Sequence, residues 1–333
     1  MWRYRDVRHL VDIKHNVNML APDKSMLTRA ERVFTDIKLK YVSPVAPSTY
    51  DLHGSIDKLL MEELRTRYSA AQMIGISVDP VTHALRLPEV LPCSKLEIEE
   101  MRALHAMYNT DVFKEATNCI NMLRDTRNKS SKRPCKSDGT LTSNWLRLSG
   151  FGSGASNNAL KLKQCDGRSF PWRGGRTISA TPDWAVQTLA GDLVLIVEDK
   201  ESKWHFNNGH VAQIFGQALS CMYHNYFTNS NRHATRPTKI HAVRMYNHFV
   251  TFFTLHATEA QVDTVCNHKK LPSGFAKMTL ESNTRDSACI INKHAPIMRD
   301  TREYMGFNMV DFEERREAQL CMAELRNILK LST

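Results

Sequence analysis

Several features are missing from this sequence. No two of its eight cysteines (Cys93, Cys119, Cys135, Cys165, Cys221, Cys266, Cys289 and Cys321) form a Cys-x-x-Cys pair. That argues against a zinc knuckle and against the disulfide framework of a small secreted protein. No apolar run approaches the roughly 20 residues that a membrane span needs; the longest aliphatic stretch is Leu193–Val197. There is also no internal repeat and no long low-complexity tract. The segment MWRYRDVRHLVDIKH carries charge throughout and lacks the apolar core of a signal peptide. The expectation is an intracellular protein, cytoplasmic or nuclear, kept reduced and with no membrane partner.

What is present is ordinary globular material with a basic excess. The 333 residues are 42% hydrophobic and 24% charged, enough for one large domain or two smaller ones. A net charge of +10 and a pI near 9.2 favour polyanions, either nucleic acid or an anionic surface.

Three regions can be separated. Residues 1–95 mix short helical patterns with proline breaks and read as a helical accessory region. Residues 96–260 read as a mixed α/β core, and residues 261–333 as an extension ending in the amphipathic helix FEERREAQLCMAELRNILKL (312–331). Within the core, Ser94 to Asn128 reads as helix broken near Asn109, with Ser94 and Glu97 as a capping box. A basic loop, RDTRNKSSKRPCKSDGT (124–140), follows. RTISATPDWAV (176–186) alternates as one strand, and DLVLIV is a continuous apolar run suited to a central strand. NNGHVAQIFGQALSCMYHNYF (207–227) is helical by periodicity. KIHAVRMYNHFVTFFTLHAT (239–258) reads as two strands around Tyr246-Asn247-His248.

The chemistry gathers in ATPDWAVQTLAGDLVLIVEDK (180–200). Asp183 and Glu198 sit at the ends of adjacent predicted strands, where two carboxylates can share one divalent cation. Lys200, two residues past Glu198, points to the same face and can hold an attacking water. Asp199 faces the other way, but its carbonyl is placed to be a third ligand. The plain alternative is a surface hairpin with charged ends. The G-F-G-S-G loop (150–154) lacks the G-K-[ST] of a phosphate cradle. Trp172, Trp184, Trp204 and Phe206 read as packing or as base-stacking groups.

T-P-D-W followed by L-V-L-I-V-E-D-K resembles the PD-(D/E)xK nuclease superfamily, over about residues 96–258. The resemblance implies a restriction-endonuclease-like αβββαβ core with a mixed sheet, here with helical additions at both ends. It implies Asp183 and Glu198 as ligands of Mg²⁺ or Mn²⁺ and Lys200 as the catalytic lysine. Gln213 and Gln217, one turn apart on the following helix, would lie beside the site. The superfamily usually adds a glutamate from its first core helix; Glu115 is the candidate, with Glu63, Glu97, Glu99 and Glu100 as competitors. Arg168, Arg173, Arg176, Lys132 and Arg133 suit phosphate contacts. The function implied is metal-dependent hydrolysis of phosphodiester bonds, in DNA before RNA. The alternatives are a nucleic-acid-binding module without activity and a basic protein-interaction domain.

Overall fold

The computed structural model describes residues 8–16, 24–36, 52–88 (except 83), 93–108, 116–123 (except 117), 140–151, 160–200 (except 166 and 174), 209–229, 236–283 (except 247) and 306–331. Lys200, Gly209 and His210 are described in their backbone alone. Among these residues eight strands form one mixed sheet. They are β1 (Val11–Asn16), β4 (Leu160–Gln164), β7 (Trp184–Thr188), β8 (Leu193–Lys200), β9 (Lys239–Tyr246), β10 (Phe249–His256), β11 (Met278–Asn283) and β12 (Phe307–Asn308). The order across the sheet is β1-β11-β10-β9-β8-β7-β4, with β12 on β10. Strands β8 and β9 run parallel, as do β1 and β11, and the other pairings are antiparallel. Two small hairpins stand apart: β2 (Ser77–Val78) with β3 (Leu85–Arg86), and β5 (Arg168–Trp172) with β6 (Arg176–Ala180).

The apolar run of β8 is central, as its sequence predicts. Leu195 and Val197 enter the core on one face of the sheet, and Leu193 and Ile196 enter the core on the other. A bulge interrupts the alternation: Val186 pairs with Leu195 and Gln187 with Leu193, so Val194 is the extra residue.

The first core is shared by α1 (Arg29–Asp36), α2 (Leu52–Arg67), α3 (Lys95–Tyr108), α4 (Thr140–Leu146) and α7 (Phe312–Leu331). Helix α3 starts in the expected capping box: Ser94 N–H donates to Glu97 Oε2 (2.7 Å), and Glu97 N–H to Ser94 Oγ (3.3 Å). It ends at Tyr108, and residues 118–123 are again helical.

The second core holds α5 (Gly209–Tyr223) and α6 (Glu259–Asn267). Helix α5 packs on β8 and β9 and also on the β5–β6 hairpin and α6. Its sequence is apolar nearly all round, the mark of a helix enclosed by protein. Residues 214–222 are accordingly all buried.

Two expectations are corrected. RTISATPDWAV is not one strand: it splits into β6 and β7, which belong to different sheets. Pro182 is the physical cause, since it has no N–H to offer a ladder. Residues 1–95 are also not purely helical, because Val11–Asn16 is the strand beyond β11 in the main sheet. Among the described residues no helix is long and apolar enough to cross a membrane.

Candidate active site

Asp183 occupies the break that Pro182 makes between β6 and β7. The last ladder pair is Trp184 with Val197, so Asp183 stands level with Glu198, where facing Cβ atoms are about 5 Å apart. Its carbonyl accepts the Cys165 N–H (3.3 Å), and its carboxylate Oδ2 accepts the Asp199 N–H (2.7 Å). That amide lies beyond the reach of the β7 ladder, and the carboxylate satisfies it instead.

The two acids of E-D-K point to opposite faces, as strand alternation requires. Glu198 faces α5 and is only 2% exposed. Gln213 Nε2 donates to its Oε1 (2.5 Å), and Gln217 Nε2 donates to its Oε2. The two glutamines are four residues apart, which puts them on one side of the helix. Gln217 also donates to the Thr181 carbonyl (3.0 Å), tying α5 to the segment before Asp183. With its nitrogen between two acceptors, the orientation of the Gln217 amide is forced. Its Oε1 is left buried without a hydrogen-bond partner among the described residues. On the opposite face Asp199 Oδ2 accepts from Thr142 Oγ1 of α4 (2.8 Å).

Lys200 closes β8 in register with Tyr246, and its side chain lies outside the described residues. So do Glu115, Lys132, Arg133, Trp204 and Phe206. The competing acids of the helical layer are engaged there. Glu63 accepts from Tyr108 Oη and pairs with Arg67. Glu97 caps α3, Glu99 pairs with Arg102, and Glu100 accepts from Tyr68 Oη. Helix α4 carries no acid in its sequence, Thr140–Leu146, and neither does the π-helical turn Arg147–Phe151 that continues it.

The arginines sit on the β5–β6 hairpin at two levels. Arg168 pairs with Ala180, next to the Asp183 break, whereas Trp172 pairs with Arg176 at the turn. At about 3.4 Å per residue, Arg176 lies about 14 Å farther out. Arg173 is held at that turn: its N–H donates to the Val265 carbonyl (3.2 Å), its guanidinium lies 6.0 Å from the Trp172 ring, and it meets His9. Arg168 acts at the far end of α5. Burial pushes His224 down to about 4, and the charges of Arg168 and Lys163 add to the effect.

As donors, the Asp183 and Glu198 carboxylates and the Asp199 carbonyl are hard oxygens, the kind that Mg²⁺ and Mn²⁺ take. Both Glu198 oxygens already accept an amide, and each keeps lone-pair capacity for a cation. Among the described residues no group of three or more His, Cys, Asp and Glu side chains converges. Among the described residues, the set that could hold a metal is two carboxylates and a carbonyl.

Sequence reasoning missed two residues here. Arg244, in β9, is the register partner of Glu198, is 2% exposed, and has its guanidinium 6.0 Å from the Tyr246 ring. Its signal was a charge in the middle of the apolar strand HAVRMY. Thr142 gave no signal, since its partner is remote in sequence. No protein-family model matches the chain, and no curated protein matches it.

Proposed function

We propose that the chain is a metal-dependent nuclease on a restriction-endonuclease-like core. The observation that carries the reading is the open end of the β7–β8 pair. There Asp183 stands level with Glu198, and Gln213 and Gln217 reach the same carboxylate from the following helix. The order of elements supports it: α4, then the antiparallel run β4-β7-β8, then α5, then β9 parallel to β8. That is an αβββαβ arrangement, with the β5–β6 hairpin inserted between its first two strands. On this reading the core begins near residue 140, and α1 to α3 lie outside it.

Asp183, Glu198 and the Asp199 carbonyl would hold Mg²⁺ or Mn²⁺, which when bound neutralises charge at the scissile phosphate. The chain's own part is positional. Gln213 and Gln217 fix the Glu198 carboxylate, and the Asp199 amide fixes that of Asp183. Lys200 would orient the attacking water. DNA is proposed before RNA, and the excess of positive charge suits either.

The test is cleavage of labelled single-stranded DNA, double-stranded DNA and RNA with Mg²⁺, Mn²⁺ or EDTA. Wild type should cut with metal and not with EDTA, and Lys200→Ala should lose at least about 100-fold in rate. Intact substrates under every condition would sink the proposal.

One observation favours a second reading, a binding module on the same fold. Glu198 is buried, both its oxygens are engaged, and a buried arginine is its register neighbour. This carboxylate is already satisfied within the protein. Calorimetric Mn²⁺ titration of wild type and Asp183→Ala separates the two readings, because only a nuclease site binds metal in a way that Asp183→Ala abolishes.

A further inference from the structure

Asp199 is held at both ends. Its side chain accepts from Thr142 on one face of the sheet, and its N–H donates to Asp183 in the plane of the sheet. Thr142 is 1% exposed. Its hydroxyl has a single proton and two neighbours in reach, Asp199 Oδ2 at 2.8 Å and Met245 Sδ at 3.2 Å. A carboxylate oxygen is a far stronger acceptor than a thioether sulfur, so the hydroxyl donates to Asp199.

Helix α4 is itself anchored. Trp145 Nε1 donates to Gln319 Oε1 (2.6 Å), and the Gln319 amide nitrogen donates to Glu31 Oε1 (2.8 Å) and Ser149 Oγ (3.0 Å). Arg326 reaches the same Glu31 oxygen (2.7 Å). Buried hydrogen bonds thus tie α4 to α1 and α7; a part-buried one joins α4 to β8, and an exposed one joins β8 to the Asp183 carboxylate.

We infer that Thr142 and Asp199 form a latch that positions Asp183, so that helix α4, anchored on α1 and α7, sets the geometry of the candidate site. Asp199 does this with its side chain and its amide, and Thr142 is the positioning residue that keeps the β8 backbone at Asp199 in place. Groups that support a ligand without touching the ion commonly control its affinity.

The test has two arms, and only the second rests on the function proposed above. Amide hydrogen exchange is measured in wild type, Thr142→Val and Thr142→Ser. Valine keeps the shape and loses the donor, whereas serine keeps the donor. The Asp199 amide should exchange about 10-fold faster in Thr142→Val, the worth of one hydrogen bond. It should return to the wild-type rate in Thr142→Ser, with Ile196 unchanged in both. Asp199→Ala, corrected for intrinsic rate, should show the same acceleration and serves if Thr142→Val does not fold. Unchanged Asp199 exchange in the folded variants overturns the latch, as does equal acceleration at Ile196. In the second arm Mn²⁺ affinity should fall about 10-fold in Thr142→Val and recover in Thr142→Ser. Equal affinity in wild type and Thr142→Val overturns the latch. A wild type that takes up no Mn²⁺ while the exchange arm holds sinks the nuclease reading and leaves the latch standing.

Discussion

His241 and His224 stay neutral under conditions in which a free histidine begins to charge. Burial pushes His241 down to about 4, and the nearby charges of Lys239 and His256 add to it. Its Nδ1 is 3.0 Å from Thr254 Oγ1. The sign follows from proton counts: below pH 6.5 the unfolded chain binds a proton that the folded one refuses. Stability is therefore complete above pH 6.5 and is lost as pH falls toward 4. At about 1.4 kcal/mol per pH unit, His241 alone accounts for up to about 3 kcal/mol across that window. His224 adds a smaller, solvent-screened amount of the same sign. Thermal unfolding of wild type should show Tm falling between pH 6.5 and 4, and His241→Asn should flatten that fall.

At the scale of elements, the clearest vulnerabilities lie at α7 and β12. Arg326 is buried against Glu31, with further donations to the Ser149 carbonyl (3.1 Å) and the Met26 carbonyl (2.8 Å). Arg326→Met strands the Glu31 carboxylate in the core and should cost about 3–5 kcal/mol, read as a lower urea midpoint. Gly306 has a φ of +78°, and a Cβ there would stand 2.2 Å from the Val250 carbonyl oxygen. Gly306→Ala should therefore destabilise by more than the usual Gly-to-Ala change in a strained turn, at least about 1 kcal/mol, by the same measurement. These elements also show what a sequence can reveal. Strand β8 and helix α5 were legible because burial on all sides leaves a continuous apolar text. Gln213 and Gln217 were singled out by the resemblance, and their four-residue spacing puts them on one side of the helix. Strand β4, LKLKQ, was not, because a short lysine-bearing edge strand reads as loop. The β6–β7 break was misread because alternation persists across Pro182. Thr142 was invisible for a different reason, since it meets the site through a neighbour distant in the chain, and Arg244 left only the mark of a charge inside an apolar strand.

The whole molecule depends on elements far from β7 and β8 in the sequence. Helix α7 supplies Ala318, Met322, Leu325 and Leu329 to the same core as β8 and α3. Truncation after residue 311 should therefore abolish cooperative thermal unfolding rather than merely lower the midpoint, as calorimetry would show. The pairing of β1 with β11, Val11 beside Met278, sets a clock as well as a shape. At 5–20 residues per second, a ribosome needs roughly 15–50 s to make the chain between these two strands. Through that interval the β1 segment lacks β11, and for its last few seconds, about 1–4 s, the edge of β10 that will take β11 stands bare. Contacts between such distant segments are slow to form and leave strand edges open to other chains. The rate of synthesis between residues 16 and 278, rather than the stability of the finished sheet, would then govern how much of this protein escapes aggregation in a crowded cell.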